Sequence, residues 1–215
     1  MGRITDSIIA GTSGRTGRVV VANIDGIEIS KIRPKRTTKP PSAKQNLVTQ
    51  RFNQAVIFIG SYKEYAKRFY GTRSKMKSSY NQAMSSVMKG LTLDMDNLTI
   101  IPLYNHIQFS KGIGIRPLPM AISSPAASKI QIDWDNNASG TDAENDYLVI
   151  LLAEDEELDS ETIFLEPTVQ RKDLSYTFSV LPRYQNKEMH VWIAFVNEDN
   201  LFASNSTYIG SVLIT

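Results

Sequence analysis

The chain has 215 residues, of which 41% are hydrophobic and 21% are charged, values typical of a globular protein that buries one large core or two small ones. It contains no cysteine and two histidines, His106 and His190. This excludes disulfides, cysteine nucleophiles and thiolate zinc sites, and argues against a histidine-rich metal site. The net charge of +2 conceals an asymmetry, because residues 1–116 hold 19 Lys/Arg and 6 Asp/Glu whereas residues 117–215 hold 5 and 16.

This division of charge suggests two modules with different surroundings. Opposite patches on neighbouring copies would attract one another and favour head-to-tail self-association. Two independently solvated surfaces, or docking of the two halves within one chain, would explain the same asymmetry, and both interpretations stay open.

The N-terminal stretch matches neither a Sec signal peptide nor the N-myristoylation pattern, and export by another signal stays open. It lacks the 7–15-residue apolar core of a Sec signal peptide, and Asp6 stands where N-myristoylation requires Ser or Thr. The longest apolar run, Tyr147–Ala153, has seven residues, far from the ~18 that a membrane span needs. We therefore expect no Sec signal and no membrane span, with the protein cytoplasmic or incorporated in a particle.

A β-hairpin is predicted at residues 18–33. Two β-branched runs, RVVVAN and IEISKI, flank Asp25-Gly26, and Asp-Gly between such runs is the strongest short hairpin signal. Residues 1–16, which carry Gly11 and Gly14 among Ser and Thr with Gly17 just beyond, indicate a flexible or irregular lead-in. The Pro-rich segment 34–41 behind the hairpin favours an extended connection.

Two helices are predicted next. Apolar residues recur at three- and four-residue steps and indicate an amphipathic helix over about 43–70. A second helix over about 74–89, with Gly90 as its stop, would pack against the first as an antiparallel hairpin. Two short strands, at 98–103 and 106–109, complete the basic half.

The acidic half has the pattern of an all-β domain. Residues 117–128, with three prolines, are the predicted linker. Apolar and β-branched runs then follow without a helical period, at 129–134, 147–153, 162–165, 174–180, 189–196, 201–203 and 207–214. This spacing predicts an antiparallel sandwich of immunoglobulin or fibronectin type III kind. The expected fold is α+β, with a basic hairpin and helical domain at 1–116 and an acidic β-sandwich domain at 129–215.

Three stretches carry a family resemblance. They are GTSGRTGRVVVANIDGIEISKIRPKR, KPPSAKQNLVTQRFNQA and VWIAFVNEDNLFASNSTYIGSVLI, the last of which contains Ser204-Asn205-Ser206 and Tyr208-Ile209-Gly210. In these stretches the chain resembles uncharacterised proteins of Bacteroidota, catalogued as a domain of unknown function, over nearly its whole length. The resemblance implies a fold plan but no activity, so no functional residue is carried over. The first stretch is also similar to the openings of small phage-encoded structural proteins.

Patterns that would indicate catalysis or ligand binding are incomplete. The run Gly11-x-x-Gly14-x-x-Gly17-Arg18 misses the spacing of both nucleotide fingerprints. Residues 133–144 place oxygen ligands at calcium-loop positions, but Ala138 stands where the sharp turn needs glycine, so a solvated loop is the simpler interpretation. His106 and His190 fall in predicted strands, without a nucleophile–base arrangement. We expect no enzymatic activity, no cofactor and no metal.

The basic segment Lys31–Gln54, which holds no acidic residue, is the candidate interaction site. The cations predicted to bind a partner lie in it and just ahead of it: Arg15, Arg18, Lys31, Arg33, Lys35, Arg36, Lys39, Lys44 and Arg51. The favoured interpretation is a structural or assembly subunit, of phage-particle or bacterial filament or surface type. It would bind other copies or other subunits through this arm.

Two alternatives remain. A nucleic-acid-binding protein would use the same cations to neutralise phosphates. Aromatic residues interleave with the neighbouring cations as they do in single-strand binders, namely Tyr62, Tyr65, Phe69, Tyr70 and Tyr80. The further alternative is a sandwich that binds a ligand or a carbohydrate.

Overall fold

The computed structural model describes residues 2–5, 8–24, 26–35, 39–74, 77–155 and 161–215. Contacts within the chain group it into two units, Met1–Ser42 with Ser74–Met76 and Ala43–Arg73 with Lys77–Thr215. This division differs from the predicted boundary at 117–128, because the helices belong to the same unit as the sandwich.

The first unit is a four-stranded antiparallel sheet. Its strands are β1 (Gly2–Arg3), β2 (Gly14–Thr16), β3 (Val19–Ile24) and β4 (Ile27–Ile32), in the order β1-β4-β3-β2. Pairing of β3 with β4 confirms the hairpin predicted at 18–33. At its turn Gly26 has a φ of +78°, which glycine adopts without steric cost, and donates its N–H to Asn23 Oδ1 at 2.8 Å. Asp25 lies outside the described residues.

The second unit begins with α1 (Ala43–Gly60), α2 (Lys63–Phe69) and α3 (Ser79–Gly90). The single helix predicted over 43–70 is therefore broken. The Thr162 hydroxyl donates to the Phe58 carbonyl at 2.8 Å, and this carbonyl is the acceptor that Tyr62 N–H would use in a continuous helix. Tyr62 N–H bonds instead to Ile59 O at 3.1 Å. A residue distant in sequence thus helps to set where α1 ends.

Helix α3 begins later than the predicted residue 74. The Ser78 hydroxyl accepts from Asn81 N–H at 3.2 Å and caps the helix at Ser79. Its last residue, Gly90, lies so close to Ile107 that a Cβ there would overlap the Ile107 side chain. Packing, rather than an unusual backbone conformation, therefore requires glycine at this position.

A hairpin of β5 (Leu91–Asp94) and β6 (Thr99–Pro102) follows α3. Strand β6 lies within the strand predicted at 98–103, whereas β5 was not predicted. The strand predicted at 106–109 does not form, because Tyr104–His106 is a 3-10 turn.

The remaining strands build the sandwich. They are β7 (Leu118–Ser123), β8 (Lys129–Asp135), β9 (Tyr147–Glu154), β10 (Ile163–Leu165), β11 (Ser175–Ser179), β12 (Glu188–Val196) and β13 (Thr207–Leu213). Two antiparallel sheets result, in the orders β10-β9-β12-β13 and β11-β8-β7. The fold is α+β with a fibronectin-like sandwich, as predicted. Residues 201–203 contribute one isolated bridge, between Ala203 and Val196, rather than a strand.

Strands β9 and β12 are apolar on both faces, and this joins the helices to the sandwich. One face packs in the cluster that includes the helices, through Val149, Leu151, Ala153, Trp192, Ala194 and Val196. The other face packs against the second sheet, through Leu148, Ile150, Leu152, Val191, Ile193 and Phe195. Trp192 meets Phe58 of α1 edge to face, with ring centroids 5.9 Å apart. The unit therefore has three layers, with β10-β9-β12-β13 in the middle.

The predicted linker 117–128 contains strand β7. This strand pairs with β8 from Leu118 with Asp135 to Ser123 with Gln131, and its register shifts between Pro119 and Ala121. It is the last strand in its sheet, where proline is tolerated because one side of the strand needs no ladder hydrogen bond. The prolines mark an edge strand rather than a connection. No helix among the described residues is long and apolar enough to cross a membrane.

Candidate interaction surface

One face of the N-terminal sheet carries three exposed cations among aliphatic side chains. Arg15 of β2 pairs with Val20 of β3, and Val20 pairs with Lys31 of β4. Residues directly opposite one another in neighbouring strands lie on the same face, so Arg15 and Lys31 share a face with Val20 between them. Arg3 of β1 pairs with Ile29 and lies on the same face. The structure therefore brings together Arg15 and Lys31 from the predicted set. It adds Arg3, which sequence reasoning missed because the pairing of β1 with β4 has no local signal.

The same sheet leaves much of its apolar surface exposed. Its buried hydrophobic residues among those described are Val21 and Ile29, which lie on opposite faces. Ile32 is 77% exposed, Ile24 40% and Val19 36%. A small sheet with aliphatic side chains exposed on both faces is marginal in water unless a partner covers it.

Two other predicted cations flank the open end of the hairpin. Arg33 donates its backbone N–H to Arg18 O at 2.8 Å, which places the two exposed residues side by side. Lys35 and Lys39 follow in the irregular connection and are also exposed. Arg36 lies outside the described residues.

Lys44 and Arg51 belong to α1 and hence to the second unit. Lys44 is exposed near the start of the helix. The Arg51 guanidinium donates to the Met88 carbonyl of α3 and is partly buried. This contact joins two helices of the same unit, and a partner-binding role for Arg51 stays a prediction.

The aromatic residues that interleave with cations in the sequence face the core. Tyr62, Tyr65, Phe69 and Tyr70 are buried, and Tyr80 packs against the same cluster. Burial raises the pKa of the Tyr62 and Tyr70 hydroxyls, which keeps them protonated. Buried rings have no open face on which a nucleic-acid base would stack.

His190 forms a hydrogen-bonded chain that the sequence did not reveal. Its Nδ1 lies 2.7 Å from the Tyr208 hydroxyl and its Nε2 lies 3.0 Å from Asp155 Oδ1, and its ring stacks on Tyr104 at 3.7 Å between centroids. Burial, with smaller contributions from Glu188 and Asp155, raises the pKa of Tyr208. A phenol whose pKa is raised stays protonated at neutral pH. His106 is exposed on its turn.

Arg171 is the buried polar centre of the sandwich, and it too was missed. The side chain has no exposed surface, and its guanidinium lies 3.9 Å from the centroid of the Phe195 ring. It donates to Asn137 Oδ1, Ala143 O and Ile115 O at 2.8, 3.1 and 2.8 Å. Asp146 Oδ2 lies 3.6 Å away, and burial raises the pKa of its carboxyl although Arg171 opposes the shift.

The motif Ser204-Asn205-Ser206 fastens a neighbouring segment to the sandwich. Phe109 N–H donates to Ser206 Oγ at 3.1 Å, and Ser206 N–H donates to Ser110 O at 3.0 Å. Ser110 Oγ donates to Ser204 O at 2.7 Å, and Gly112 N–H donates to Asn205 Oδ1 at 3.1 Å. A motif that carries the family resemblance therefore holds residues 109–112 to the sandwich by hydrogen bonds.

Two of the residues at calcium-loop positions, Asp133 and Asn137, are engaged in protein contacts. Asp133 Oδ1 accepts from Gln131 at 3.0 Å and from the Ser175 hydroxyl, while Asn137 is bound to Arg171. Within the ranges that the structure describes, no three His, Asp or Glu side chains are grouped to hold a metal ion.

A cleft of about 440 Å³ lies between α2 and β10. Tyr65, Phe69 and Phe164 line its apolar side, and charged residues of both signs line the rest. Tyr65 and Phe69 are each 6% exposed, so neither offers an open ring face for a sugar. The cleft therefore gives little support to the carbohydrate-binding alternative.

Solved structures similar to this chain are fibronectin type III domains. The chicken CNTN1 FN1-FN3 domains share 12% identity at a TM-score of 0.35, over 49% of this chain and 34% of that one. The fn3 domain of human contactin 1 shares 11% sequence identity at a TM-score of 0.34, over 49% of this chain and 83% of that one. The fn3 domain of the human collagen alpha-1(XX) chain shares 15% sequence identity at a TM-score of 0.36, over 49% of this chain and 90% of that one. This chain thus spans about a third of the first of these. These values carry nothing about activity.

No curated protein matches the chain. The family of unknown function DUF6266 matches residues 11–210, a range that includes most of the three stretches that carry the resemblance. The chain therefore belongs to this family, DUF6266, whose function is unknown.

Proposed function

We propose that this protein is a non-enzymatic assembly subunit, whose N-terminal sheet docks onto the acidic sandwich of a neighbouring copy to build a particle or filament. The observation that carries the proposal is the sheet itself. It exposes aliphatic side chains on both faces and aligns Arg3, Arg15 and Lys31 on one of them. A surface that combines apolar groups with a row of cations fits an acidic protein partner.

The sandwich supplies the complementary charge. Residues 117–215 hold 16 Asp/Glu and 5 Lys/Arg. Asp135 is exposed at the end of β8, and Asp142 is exposed in the connection from β8 to β9. We assign the docking surface to this connection. Opposite charges on two different surfaces of one chain give a head-to-tail contact, which repeats from copy to copy.

Nucleic acid is the weaker candidate for the same sheet. The cations alone would bind phosphates, but the aromatic side chains needed as a stacking platform are in the core. Hydrophobic exposure on the sheet adds nothing to phosphate binding and favours a protein partner.

The test is the solution mass of the purified chain by light scattering, at low and high salt. We expect a large species that dissociates as salt screens the contact, and a smaller species for the Arg15→Glu/Lys31→Glu variant at low salt. Lys63→Glu is the matched control, because Lys63 is an exposed cation on α2, and its mass should equal that of the wild type.

Two results would overturn the proposal. One is a wild-type chain that stays monomeric at low salt, and the other is a large species that ignores both salt and the double substitution. A monomer that gains mass only when single-stranded DNA is added would establish the nucleic-acid alternative instead.

A further inference from the structure

Helix α1 exposes an apolar stripe along one edge of its buried face. Val48, Phe52 and Val56 are spaced four residues apart, so they lie on one side of the helix, and they are 45%, 50% and 39% exposed. The residues that α1 buries are different ones, Leu47, Ala55, Phe58 and Ile59. Helix surfaces in contact with water normally carry charged residues at such positions.

Few charged side chains border the stripe along α1. Between Lys44 and Lys63 the single charged side chain is Arg51, which is bound to the Met88 carbonyl. Its exposed neighbours on the helix are Lys44, one turn before Val48, and the neutral polar residues Gln45, Thr49 and Asn53. A patch with an apolar centre and a mostly uncharged polar rim suits a protein partner.

We propose that this stripe pairs with the same stripe of a second copy, in a near-antiparallel helix contact with Phe52 on the two-fold axis. Val48 and Val56 are each four residues from Phe52, so an antiparallel partner places Val56 opposite Val48 and Phe52 opposite Phe52. An isologous contact requires a self-complementary surface of this kind. A depression of about 600 Å³ beside the stripe, bounded by Val48, Thr49 and Met95 among others, gives the second helix room to approach.

The ends of α1 fit the same arrangement. The helix has no acidic residue in its first turn and no basic residue in its last, so its own side chains complement neither end of the helix dipole. In the antiparallel pair Lys44 lies opposite Gly60 of the second copy, where the carbonyl end of the helix attracts a cation. A Cβ at Gly60 would meet nothing within 4 Å, which leaves space for the lysine stem.

The contact is small and apolar, and both properties are measurable. Specific interfaces bury about 1,200–2,000 Å² in total, and three half-exposed side chains with their rim fall below this range. The isolated pair is therefore a weak dimer whose population rises with protein concentration. Salt screens the attraction between Lys44 and the helix end but does not weaken the apolar contact between the two stripes. The pair extends the proposed assembly role, but it does not depend on the basic sheet and can be tested without it.

The first experiment is sedimentation equilibrium in the Arg15→Glu/Lys31→Glu background, which removes the salt-sensitive contact. We expect a monomer–dimer equilibrium that high salt does not dissociate. Adding Phe52→Gln should weaken this dimer at least about tenfold, a loss of roughly 1.4 kcal/mol of association free energy. Leu201→Gln is the matched control, because Leu201 is 74% exposed outside the helix, and the dimer should persist.

The second experiment is disulfide trapping, for which a chain without cysteine is well suited. The Val48→Cys/Val56→Cys variant keeps Phe52 and should form a covalent dimer on copper-phenanthroline oxidation, because each new thiol faces the other one on the second copy. Asn46→Cys/Gln50→Cys places two thiols on the opposite side of α1 and is the control. Equal cross-linking of the two variants, or a mass that Phe52→Gln leaves unchanged, would overturn the proposal.

The helix contact and the docking of the sheet can be refuted independently of each other. If Phe52→Gln abolishes the dimer while Arg15→Glu/Lys31→Glu leaves the mass of the wild-type chain unchanged, the helix contact stands and the docking of the sheet is wrong. If the double substitution alone yields a monomer at every concentration, the helix contact is wrong and the docking of the sheet stands.

Discussion

Replacement of Arg171 by methionine tests the buried centre of the sandwich. Methionine fills much of the space of the arginine stem, so the change removes the guanidinium while leaving only a small cavity. Three oxygens lose their donor, on Asn137, Ala143 and Ile115. Asp146, which is 4% exposed, loses the cation 3.6 Å away.

The cost follows from these contacts. Removing one partner of a buried ion pair costs about 3–5 kcal/mol, because the other charge stays buried without compensation. The cation–π contact with Phe195 contributes about 1–2 kcal/mol when it is desolvated. Water reaching Asn137 and Ile115, which are exposed, offsets part of the loss. We expect the free energy of unfolding to fall by about 4 kcal/mol.

Urea unfolding followed by tryptophan fluorescence measures this loss. Both tryptophans are buried, and Trp134 Nε1 donates to the Arg171 backbone carbonyl at 2.7 Å. With an m-value of about 2 kcal/mol/M, the midpoint should fall by about 2 M. Lys172→Met is the control, because Lys172 is exposed, and it should leave the midpoint nearly unchanged. A midpoint for Arg171→Met within about 0.5 M of the wild type would refute the reasoning.

The pH dependence gives a second check on the same variant. Burial already raises the pKa of the Asp146 carboxyl, and removal of Arg171 removes the charge that opposes this rise. A carboxyl whose pKa is higher in the folded state than in the unfolded state destabilises the fold when it is ionised, so stability falls as pH rises above about 4. The deficit of Arg171→Met should therefore shrink as the pH is lowered from 7 towards 5. A deficit that does not change with pH would contradict the assignment of the cost to Asp146.

Three further predictions concern the second unit. Ser206→Ala leaves the buried N–H groups of Phe109 and Ser110 without their acceptor and should cost about 2 kcal/mol in urea unfolding, whereas Ser179→Ala at an exposed position should cost little. Gly112→Ala places a Cβ against the Ala203 carbonyl. It should lower the melting temperature by an amount equivalent to a loss of at least about 2 kcal/mol in the free energy of unfolding. Gly60→Ala is the control, because a Cβ there has open space around it, and it should not lower the melting temperature. A fragment of residues 117–215 exposes the helix-facing side of β9 and β12, so it should bind a hydrophobic dye and aggregate. A monodisperse fragment with the tryptophan emission of the whole chain would contradict the three-layer description.

Local patterns predicted the hairpin and most strands of the sandwich, because in these elements the signal lies within a few residues. Asp25-Gly26 marks the hairpin, and KIQIDW alternates as a half-buried strand does. The two-sided burial of β9 was also available in the sequence. A continuous apolar run indicates a strand covered on both faces, and in this chain the covers are the helices on one side and the second sheet on the other.

Features set by distant residues escaped prediction. The break between α1 and α2 involves Thr162, which binds the Phe58 carbonyl. Arg171 stands in the sequence QRKD, which is typical of a solvated turn, and its burial depends on Phe195 and Asp146. In the candidate site, residue type alone did not separate Arg51, which joins two helices, from Arg15, which lies on an exposed strand.

The position of β9 and β12 between the helices and the second sheet has a consequence for synthesis on the ribosome. Phe58 of α1 packs on Trp192 of β12, which is made 134 residues later. At about 5–20 residues per second, roughly 7–27 s separate the two. During that interval the apolar side of α1 has no β12 to pack against. Nascent chains of this protein are therefore expected to need a holding chaperone until the C-terminal strands emerge.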